Sequence, residues 1–367
     1  MLSREEKIRY SRHIMMSEFG IENQEKLKQS KVLIIGAGGL GCPALQYLTA
    51  AGVGTIGIVD DDTVSESNLQ RQILFTRDDV GKLKVEVAIK KLQLQNPFTQ
   101  FIGFTERLNT KNALSILNDF DLLIDGSDNF ATRYLVNDAC VILNKPFVFG
   151  SIHKFEGQVT VFNYRNGPTY RCLFPEPASM TDTPNCATIG VLGALPGIVG
   201  TMQATEAIKI VCQLGESISG KLLVFNCLQN TYNTYEIELN PENKKIKELE
   251  NNYELLCFNP SLVNSISPQE LHTKMQLGED IDIIDVREPS EFELCKISEK
   301  LIPLNTIPNN YNQIAKNKTV VLYCHHGMRS AQAIKFLQEK YSYTNLLNLE
   351  GGIHQWAMTV DSYVPTY

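Results

Sequence analysis

Two short stretches of the chain carry residue types that can do chemistry, and the first is rich in glycine. It follows an apolar segment, and its glycines are Gly36, Gly38, Gly39 and Gly41. A glycine loop between a strand and a helix lets backbone N–H groups approach a phosphate or a ribose. Asp60 follows the next apolar segment, where a carboxylate can accept hydrogen bonds from ribose hydroxyl groups. This spacing is typical of a nucleotide-binding sheet.

Polar and cationic side chains follow Asp60 and narrow the type of nucleotide. Asn68 and Arg71 lie close together, and Lys84 lies in a helical segment behind them. A guanidinium group is a planar fork of donors that suits phosphate oxygens, so Arg71 is a candidate catalytic residue as well as a ligand. A polyphosphate needs several cations and a nicotinamide does not, so these residues favour a triphosphate.

A second carboxylate, Asp128, follows the apolar run Leu122–Ile124, and Asn129 comes next. In open parallel sheets ligands bind beyond the carboxyl ends of strands, so we expect Asp60 and Asp128 to face one ligand. Carboxylate oxygen suits Mg²⁺, which Asp128 can hold against phosphates. The alternative is that Asp128 caps the helix predicted over Phe130–Leu143.

The second reactive stretch lies between the apolar run Thr319–Tyr323 and a helical segment. Its members are Cys324, His325, His326, Gly327, Met328 and Arg329. Backbone N–H groups at a helix N-terminus favour an anion, and Arg329 adds positive charge, so the loop suits a thiolate or a persulfide at Cys324. The alternatives are a structural cysteine, or a metal site formed with His325 and His326.

Two further residues have open assignments. Cys186 precedes the apolar segment Ile189–Ile210, and a cysteine near a helix start can be activated, although an inert thiol is an equal alternative. Arg12 lies in the predicted helix Glu5–Met16, which is either a solvated basic helix or one that presents an arginine to a phosphate across a dimer interface.

Length and composition limit the class of protein. With 367 residues, two domains are expected, and 43% hydrophobic residues can fill their cores. A net charge of −7 argues against nucleic acid or an anionic membrane as the main partner. The longest uncharged stretch, Ala187–Thr205, contains four glycines and a proline and is interpreted as buried helix and loop. Nine scattered cysteines without an apolar leader predict a reduced, cytoplasmic protein.

The elements that must position these residues alternate between strand and helix. Lys31–Ile35, Pro43–Ala51 and Thr55–Val59 are predicted to form a strand, a helix and a strand. A second pattern begins at Ser267-Pro268, a serine cap followed by a proline at the first helical position. We therefore predict an α/β chain with a Rossmann-like domain over residues 1–240, a linker over 241–267 and a smaller α/β domain over 268–367.

Residues 4 to about 240 resemble the adenylating domain shared by MoeB, ThiF and the ubiquitin-activating enzymes. The matching motifs are Arg9-Tyr10-Ser11-Arg12-His13, Gly36–Gly41, Asp60, Asn68–Gln72, Lys84, Asp125–Asn129, Arg171–Pro175 and Cys186. The resemblance implies that ATP adenylates the C-terminal Gly-Gly carboxylate of a small ubiquitin-like protein. It assigns the ribose to Asp60, the phosphates to Asn68, Arg71 and Lys84, and Mg²⁺ to Asp128. It also implies a homodimer in which Arg12 reaches the partner subunit's phosphates.

One departure from this family concerns zinc. Family members commonly hold a structural zinc with two Cys-x-x-Cys pairs. Here Thr169 stands where the first pair would begin before Cys172, and residues 240–250 contain no cysteine. A tetrahedral thiolate site needs four ligands, so we predict no zinc site.

Residues 268–367 are similar to a rhodanese domain. The matches are Asp285–Glu288, Cys324–Ser330 and Glu350–Trp356. The resemblance implies that Cys324 carries sulfane sulfur as a persulfide, supplied by a donor such as a cysteine desulfurase. The order of the two domains resembles fused adenylyltransferase–sulfurtransferases that make thiocarboxylates on sulfur carrier proteins. Molybdopterin, thiamine, cysteine and thiolated tRNA remain open as downstream products.

Three other interpretations remain. The protein could be an activating enzyme that only adenylates its carrier and transfers no sulfur. It could also be a noncatalytic protein that docks carriers, in which case its biological activity would not depend on Asp128. A nicotinamide-dependent oxidoreductase binds NAD(H) and has no use for Asn68, Arg71 or Lys84.

Overall fold

The computed structural model describes residues 1–175, 190–250, 253, 263–361 and 363–365. The chain divides into two units. We call them the N-terminal unit, which contains an eight-stranded sheet, and the C-terminal unit, which contains a five-stranded sheet. Among the described helices, none is both long enough and apolar enough to cross a membrane.

The sheet of the N-terminal unit has the strand order β3-β2-β1-β4-β5-β6-β7-β8. Pairing is parallel from β3 to β5 and antiparallel from β5 to β8. The strands are β1 (Lys31–Ile35), β2 (Thr55–Val59), β3 (Gln100–Phe104), β4 (Leu122–Asp125), β5 (Phe147–His153), β6 (Glu156–Phe162), β7 (Lys221–Asn226) and β8 (Thr231–Glu236).

Helices of this unit connect the strands. They are α1 (Arg4–Arg9), α2 (Ser11–Ile14), α3 (Gly20–Gln29), α4 (Gly41–Ala51), α5 (Lys84–Gln95), α6 (Ala113–Asn118), α7 (Phe130–Leu143), α8 (Tyr170–Leu173) and α9 (Ala194–Cys212). The helix predicted over Glu5–Met16 is broken at Tyr10. The Tyr10 side chain is buried, and its hydroxyl accepts a hydrogen bond from Asn96. The helix is therefore interrupted at a residue that contacts a distant part of the chain.

The central strands are apolar in succession because both of their faces are covered. Along β1, Val32 and Ile34 belong to one core cluster, whereas Leu33 and Ile35 belong to another. Alternate side chains of a strand point to opposite faces, so both faces of the sheet are packed. Burial of each of these side chains contributes roughly 1.5–3 kcal/mol to the free energy of folding, because apolar surface is removed from water. Helix α9, whose first part lies in the uncharged stretch Ala187–Thr205, packs on α4, β5 and β6, as the buried interpretation of that stretch requires.

The sheet of the C-terminal unit is parallel, with the order β11-β10-β12-β13-β9. Its strands are β9 (Ser265–Ile266), β10 (Ile281–Asp285), β11 (Lys300–Leu301), β12 (Thr319–Tyr323) and β13 (Leu346–Leu349). Its helices are α10 (Pro268–Gln276), α11 (Pro289–Leu294), α12 (Ile307–Asn310), α13 (Met328–Tyr341) and α14 (Gly352–Thr359). Ser267 caps α10 and accepts a hydrogen bond from the Glu270 N–H, as its sequence predicts.

Both sheets confirm the predicted α/β class. The bounds of β1, β2, α7 and β12 agree with the sequence patterns. Helix α3 and strand β3 are among the elements that were not predicted. Helix α3 is mostly polar, and β3 is an edge strand without apolar alternation. Both lack the periodic burial on which the sequence argument depends.

Candidate functional site

A cavity of about 450 Å³ opens beyond the carboxyl ends of the parallel strands of the N-terminal unit. This volume suits a small-molecule ligand. Residues that follow β1, β2, β3 and β4 line it. Most of the predicted nucleotide-binding residues are among them: Gly36, Gly38, Gly39, Asp60, Asn68, Arg71, Lys84, Asp128 and Asn129. Asp60 and Asp128 therefore face one cavity, as expected.

The glycine loop is shaped by close backbone contacts. Gly36 has a φ of +90°, which an L side chain rarely adopts. A Cβ atom at Gly41 would lie 1.9 Å from the Gly36 carbonyl oxygen. Gly41 does not line the cavity, and its contribution is to let α4 start directly against the loop.

Asp60 connects the end of β2 to the glycine loop. Its Oδ2 accepts a hydrogen bond from the Ala37 N–H at 2.7 Å, and its Oδ1 accepts one from the Asp62 N–H at 2.9 Å. Burial raises the pKa of Asp60, and the positive charge of Lys84 opposes that rise. Each carboxylate oxygen has a second lone pair, so Asp60 can also accept from a ligand hydroxyl.

The cations predicted to bind phosphate are held by neighbouring groups. Lys84 Nζ lies 2.7 Å from Asp62 Oδ2, and the Lys84 side chain is 5% exposed whereas that of Asp62 is 68% exposed. Arg71 donates to the Ser67 carbonyl oxygen, and Asn68 Oδ1 accepts from the Ser65 N–H. The Lys84 ammonium is thus kept in the cavity wall by a carboxylate that is largely exposed to solvent.

Asp128 and Asn129 have separate tasks at the start of α7. The N-cap is Asn129, whose side chain accepts from the Thr132 N–H at 2.8 Å. The alternative in which Asp128 caps this helix is therefore wrong. Asp128 is exposed and lines the cavity, so its carboxylate is available to a cation there.

Two cations of the cavity, Arg107 and Arg133, were not predicted from the sequence. Arg133 is 6% exposed, donates to the Ser127 carbonyl oxygen and lies 5.2 Å from the centre of the Phe149 ring. Arg133 lies four residues after Asn129, about one helical turn into α7, and residues with this spacing lie on the same face of a helix. This spacing could have identified Arg133 from the sequence. Arg107 follows the unpredicted strand β3, so nothing in the pattern pointed to it.

Two further predicted site residues are not among the described residues that line the cavity. Arg12 is exposed on α2 and does not line the cavity of its own chain. Cys186 lies outside the described residues, so its activation remains a prediction.

The position of the family's zinc site is filled by hydrogen bonds. Cys172 Sγ accepts from the N–H groups of Thr169 and Asn240, both at 3.4 Å, and lies 3.5 Å from Asn243 Nδ2. Burial alone would raise the pKa of the Cys172 thiol, but these bonds outweigh burial and lower it. One thiol among a hydroxyl and two amides is not the nitrogen and sulfur donor set that tetrahedral zinc prefers, so these residues do not fit a structural zinc.

In the C-terminal unit, Cys324 directly follows β12 and is 1% exposed. Its Sγ accepts from the Gly327 N–H at 3.1 Å and lies 3.5 Å from Ser330 Oγ. Gly327 has a φ of +87° and precedes α13. The loop therefore directs a backbone donor at the sulfur atom and places a hydroxyl group beside it, which is an environment for an anion.

Arg329 forms an ion pair with a carboxylate of helix α11. Arg329 Nη1 and Nη2 lie 2.6 and 2.7 Å from the two carboxylate oxygens of Glu291. Burial alone would raise the pKa of Glu291, but the hydrogen bonds and charge of Arg329 outweigh burial and lower it. The sequence could not show this partner, which comes from another element.

Comparisons with known proteins agree with this description. The ThiF family model matches residues 10–247, and the rhodanese-like domain model matches residues 267–359. A relative named probable adenylyltransferase/sulfurtransferase MoeZ, from Mycobacterium tuberculosis, is 43% identical over 97% of this chain and 94% of its own. Adenylyltransferase and sulfurtransferase MOCS3 from Drosophila sechellia is 40% identical over 100% of this chain and 86% of its own.

Solved structures support the fold of the N-terminal unit. E. coli MccB with ATP is 24% identical, with a TM-score of 0.56, and the match covers 64% of this chain and 72% of MccB. The structure of PaaA has a TM-score of 0.56 at 23% identity, over 64% of this chain and 75% of PaaA. At this identity the likeness concerns the fold alone. The family models and the full-length relatives show that the chain belongs to the ThiF family and is a transferase with a C-terminal rhodanese-like domain.

Proposed function

We propose that this protein activates the C-terminal Gly-Gly carboxylate of a small ubiquitin-like sulfur carrier protein with ATP, and then converts it to a thiocarboxylate with sulfur from Cys324. The observation that carries the proposal is the pairing, in one chain, of a cavity rich in cations with a loop that directs donors at one sulfur. Full-length relatives named for both transfer reactions support it.

The first step is adenylation. An oxygen of the carrier carboxylate attacks the α-phosphorus of ATP, and pyrophosphate leaves. We assign the ribose to Asp60, and the phosphates to Asn68, Arg71 and Lys84. Asp128 would hold Mg²⁺, which neutralises phosphate charge when bound. Both attacking and leaving groups are anions at neutral pH, so the step needs charge stabilisation rather than a proton shuttle.

The cations of the cavity favour ATP over a nicotinamide dinucleotide. Four of them, Arg71, Lys84, Arg107 and Arg133, line one cavity. Developing negative charge on the pyrophosphate is stabilised by such groups in the transition state. A hydride transfer to or from a nicotinamide ring creates no comparable charge.

The second step is sulfur transfer. A donor such as a cysteine desulfurase supplies the persulfide on Cys324. Its terminal sulfur attacks the acyl carbon, the bond from that carbon to the AMP oxygen breaks, and an acyl disulfide forms. A second thiol then attacks Cys324 Sγ, the thiocarboxylate leaves, and the resulting enzyme disulfide is reduced by an external dithiol. Cys186 is our candidate for the second thiol.

Assembly and cellular setting complete the proposal. We propose a homodimer in which Arg12 contributes to the cavity of the partner subunit, because Arg12 is exposed and is not among the residues that line the cavity of its own chain. We assign residues 1–240 to adenylation, 241–267 to a linker and 268–367 to sulfur transfer. All seven cysteines in the described ranges are free thiols, which suits a reducing, cytoplasmic setting.

The test uses purified full-length protein, a Gly-Gly-tailed carrier, ATP, Mg²⁺, a persulfide donor and a dithiol. Intact-mass spectrometry should show one carrier oxygen replaced by sulfur. ATP–pyrophosphate exchange, measured in parallel, should depend on the carrier. A carrier that stays unmodified while exchange proceeds would remove the sulfur step. Absence of exchange with every Gly-Gly carrier tried, together with binding of NADH, would remove the adenylation step.

A further inference from the structure

Three histidine rings meet beside the Cys324 loop. His325 and His326 come from the loop, and His354 comes from the first turn of α14. One ring nitrogen from each lies within 4.8 Å of the others. The ring centres of His326 lie 4.2 Å from His325 and 4.9 Å from His354. The sequence offered only two adjacent histidines, so the third member of the cluster is a structural finding.

Backbone contacts hold the two segments in place. The Ile353 N–H donates to the Cys324 carbonyl oxygen at 2.9 Å, and the His354 N–H donates to that of His325 at 3.0 Å. Gly352 makes this approach possible, because a Cβ atom there would lie 2.3 Å from the Cys324 carbonyl oxygen. The three rings are therefore brought together by the fold itself.

The cluster offers the kind of ligand that late transition metals favour. A neutral imidazole has one nitrogen lone pair available as a ligand, and imidazole nitrogen suits ions such as zinc and nickel.

A second observation concerns a ring nitrogen of His354. His354 Nδ1 is buried and makes no hydrogen bond within the described part of the chain. A buried polar atom without a partner is costly, and in folded proteins a bound ion or an ordered water molecule often supplies the missing contact.

We propose that His325, His326 and His354 form a binding site for a divalent late transition-metal ion, of the Zn²⁺, Co²⁺ and Ni²⁺ type. Metal–nitrogen bonds of about 2.0–2.1 Å place ligand atoms about 3.3 Å apart in a tetrahedral site, so metal binding requires the three rings to move closer together than they are now. Three nitrogen ligands exclude Mg²⁺ and Ca²⁺, which prefer oxygen. The pairing of Arg329 with Glu291 limits repulsion of the metal by the guanidinium. A bound ion would connect the sulfur loop to α14 and place positive charge beside it.

The test is a titration of full-length protein with Co²⁺, followed by calorimetry and by visible absorption. One Co²⁺ per chain should bind, with the intense spectrum of tetrahedral rather than octahedral coordination. His354→Gln should weaken binding at least tenfold, since it removes one of three ligands. His326→Gln should do the same.

Two control variants change a possible metal ligand, one histidine and one cysteine, outside the histidine cluster. His153→Gln changes an exposed histidine of the N-terminal unit, and Cys172→Ser changes the thiol at the family's zinc position. Both should bind Co²⁺ like the unaltered protein, and circular dichroism should confirm that every variant is folded. The proposal is overturned if the unaltered protein binds no Co²⁺, or if folded His354→Gln and His326→Gln bind it as tightly as the controls.

Discussion

The two candidate sites are both built at the carboxyl ends of parallel strands, but they are built differently. The nucleotide cavity collects side chains from the ends of four strands and from α7, and its Asp128 is exposed. The sulfur loop is a run of six consecutive residues around Cys324, whose side chain is 1% exposed. A ligand with charge spread over many atoms needs dispersed partners, whereas one sulfur anion can be served by the N–H groups of a single loop.

The cations of the two sites differ in the same way. Lys84 is paired with Asp62, a carboxylate that is largely exposed. Arg329 is paired in bidentate fashion with Glu291, and both side chains are mostly buried. The first pair can open to admit phosphate, while the second fixes the position of a helix next to the loop. Four changes test this contrast.

The largest effect is expected for Cys324→Ser. Because this change removes the nucleophile, thiocarboxylate formation should fall by at least about 10³-fold. Carrier-dependent ATP–pyrophosphate exchange should stay within twofold of the unaltered protein, since the cavity lies in the other unit. Parallel loss of exchange in a folded variant would mean that the sites do not act separately.

The converse change is Asp128→Ala. Loss of the carboxylate assigned to Mg²⁺ should reduce exchange by about 10²–10³-fold. Persulfide formation on Cys324 with a persulfide donor, a step that we assign to the C-terminal unit, should be unchanged. Asp119→Ala removes an exposed carboxylate that does not line the cavity and is the matched control. Equal losses in both variants would contradict the assignment.

A smaller effect is expected for Glu291→Gln, which breaks the pair with Arg329. Gln keeps the shape of Glu and one acceptor oxygen but removes the charge of a mostly buried pair, so the free energy of unfolding of the C-terminal unit should fall by about 1–2 kcal/mol at pH 7. The pKa of Glu291 is lowered in the folded protein, so its stabilisation is complete above the ordinary value of about 4.3. This stabilisation is lost as the pH falls through the pKa that Glu291 has in the folded protein.

Urea unfolding at several pH values checks this prediction. The difference between Glu291→Gln and the unaltered protein should shrink as the pH drops below about 4. Glu293→Gln, on the same helix and exposed, serves as control. A difference that is constant with pH would show that the charge of Glu291 is not what stabilises the unit.

The smallest effect is expected for Asp62→Asn, which releases Lys84 from its partner. Phosphates would then no longer compete with a carboxylate, so the KM for ATP should fall by about fivefold, equivalent to about 1 kcal/mol. Asp61→Asn alters the adjacent exposed carboxylate and should have a weaker effect. A KM that rises only in Asp62→Asn would mean that Asp62 helps to bind the nucleotide.

The same contrast explains what could be predicted from sequence. The sulfur loop is contiguous, so its members were identifiable together, whereas Glu291 and His354 come from elements distant in the chain. In the cavity, Asp60 and Asp128 were found because each ends a strong apolar strand. Arg107 was not predicted because it follows β3, an edge strand whose mostly exposed residues show no apolar alternation. Arg133 was not predicted because the periodicity that predicts a helix does not show which of its cations faces a ligand.

The fold followed from sequence where burial is continuous. Strands β1, β2 and β12 are apolar at nearly every position because helices or loops cover both faces. The helix predicted at the N-terminus was broken by the burial of Tyr10, a tertiary contact that local propensity does not contain.

The account depends on the two sites acting in order on one carboxylate. The direct measurement loads Cys324 with radioactive sulfur as a persulfide, removes the donor, and adds a Gly-Gly-tailed carrier with or without ATP and Mg²⁺. The account predicts that label reaches the carrier only when ATP and Mg²⁺ are present. Label that moves equally well without ATP, or that stays on Cys324 while the acyl-adenylate accumulates, would contradict it.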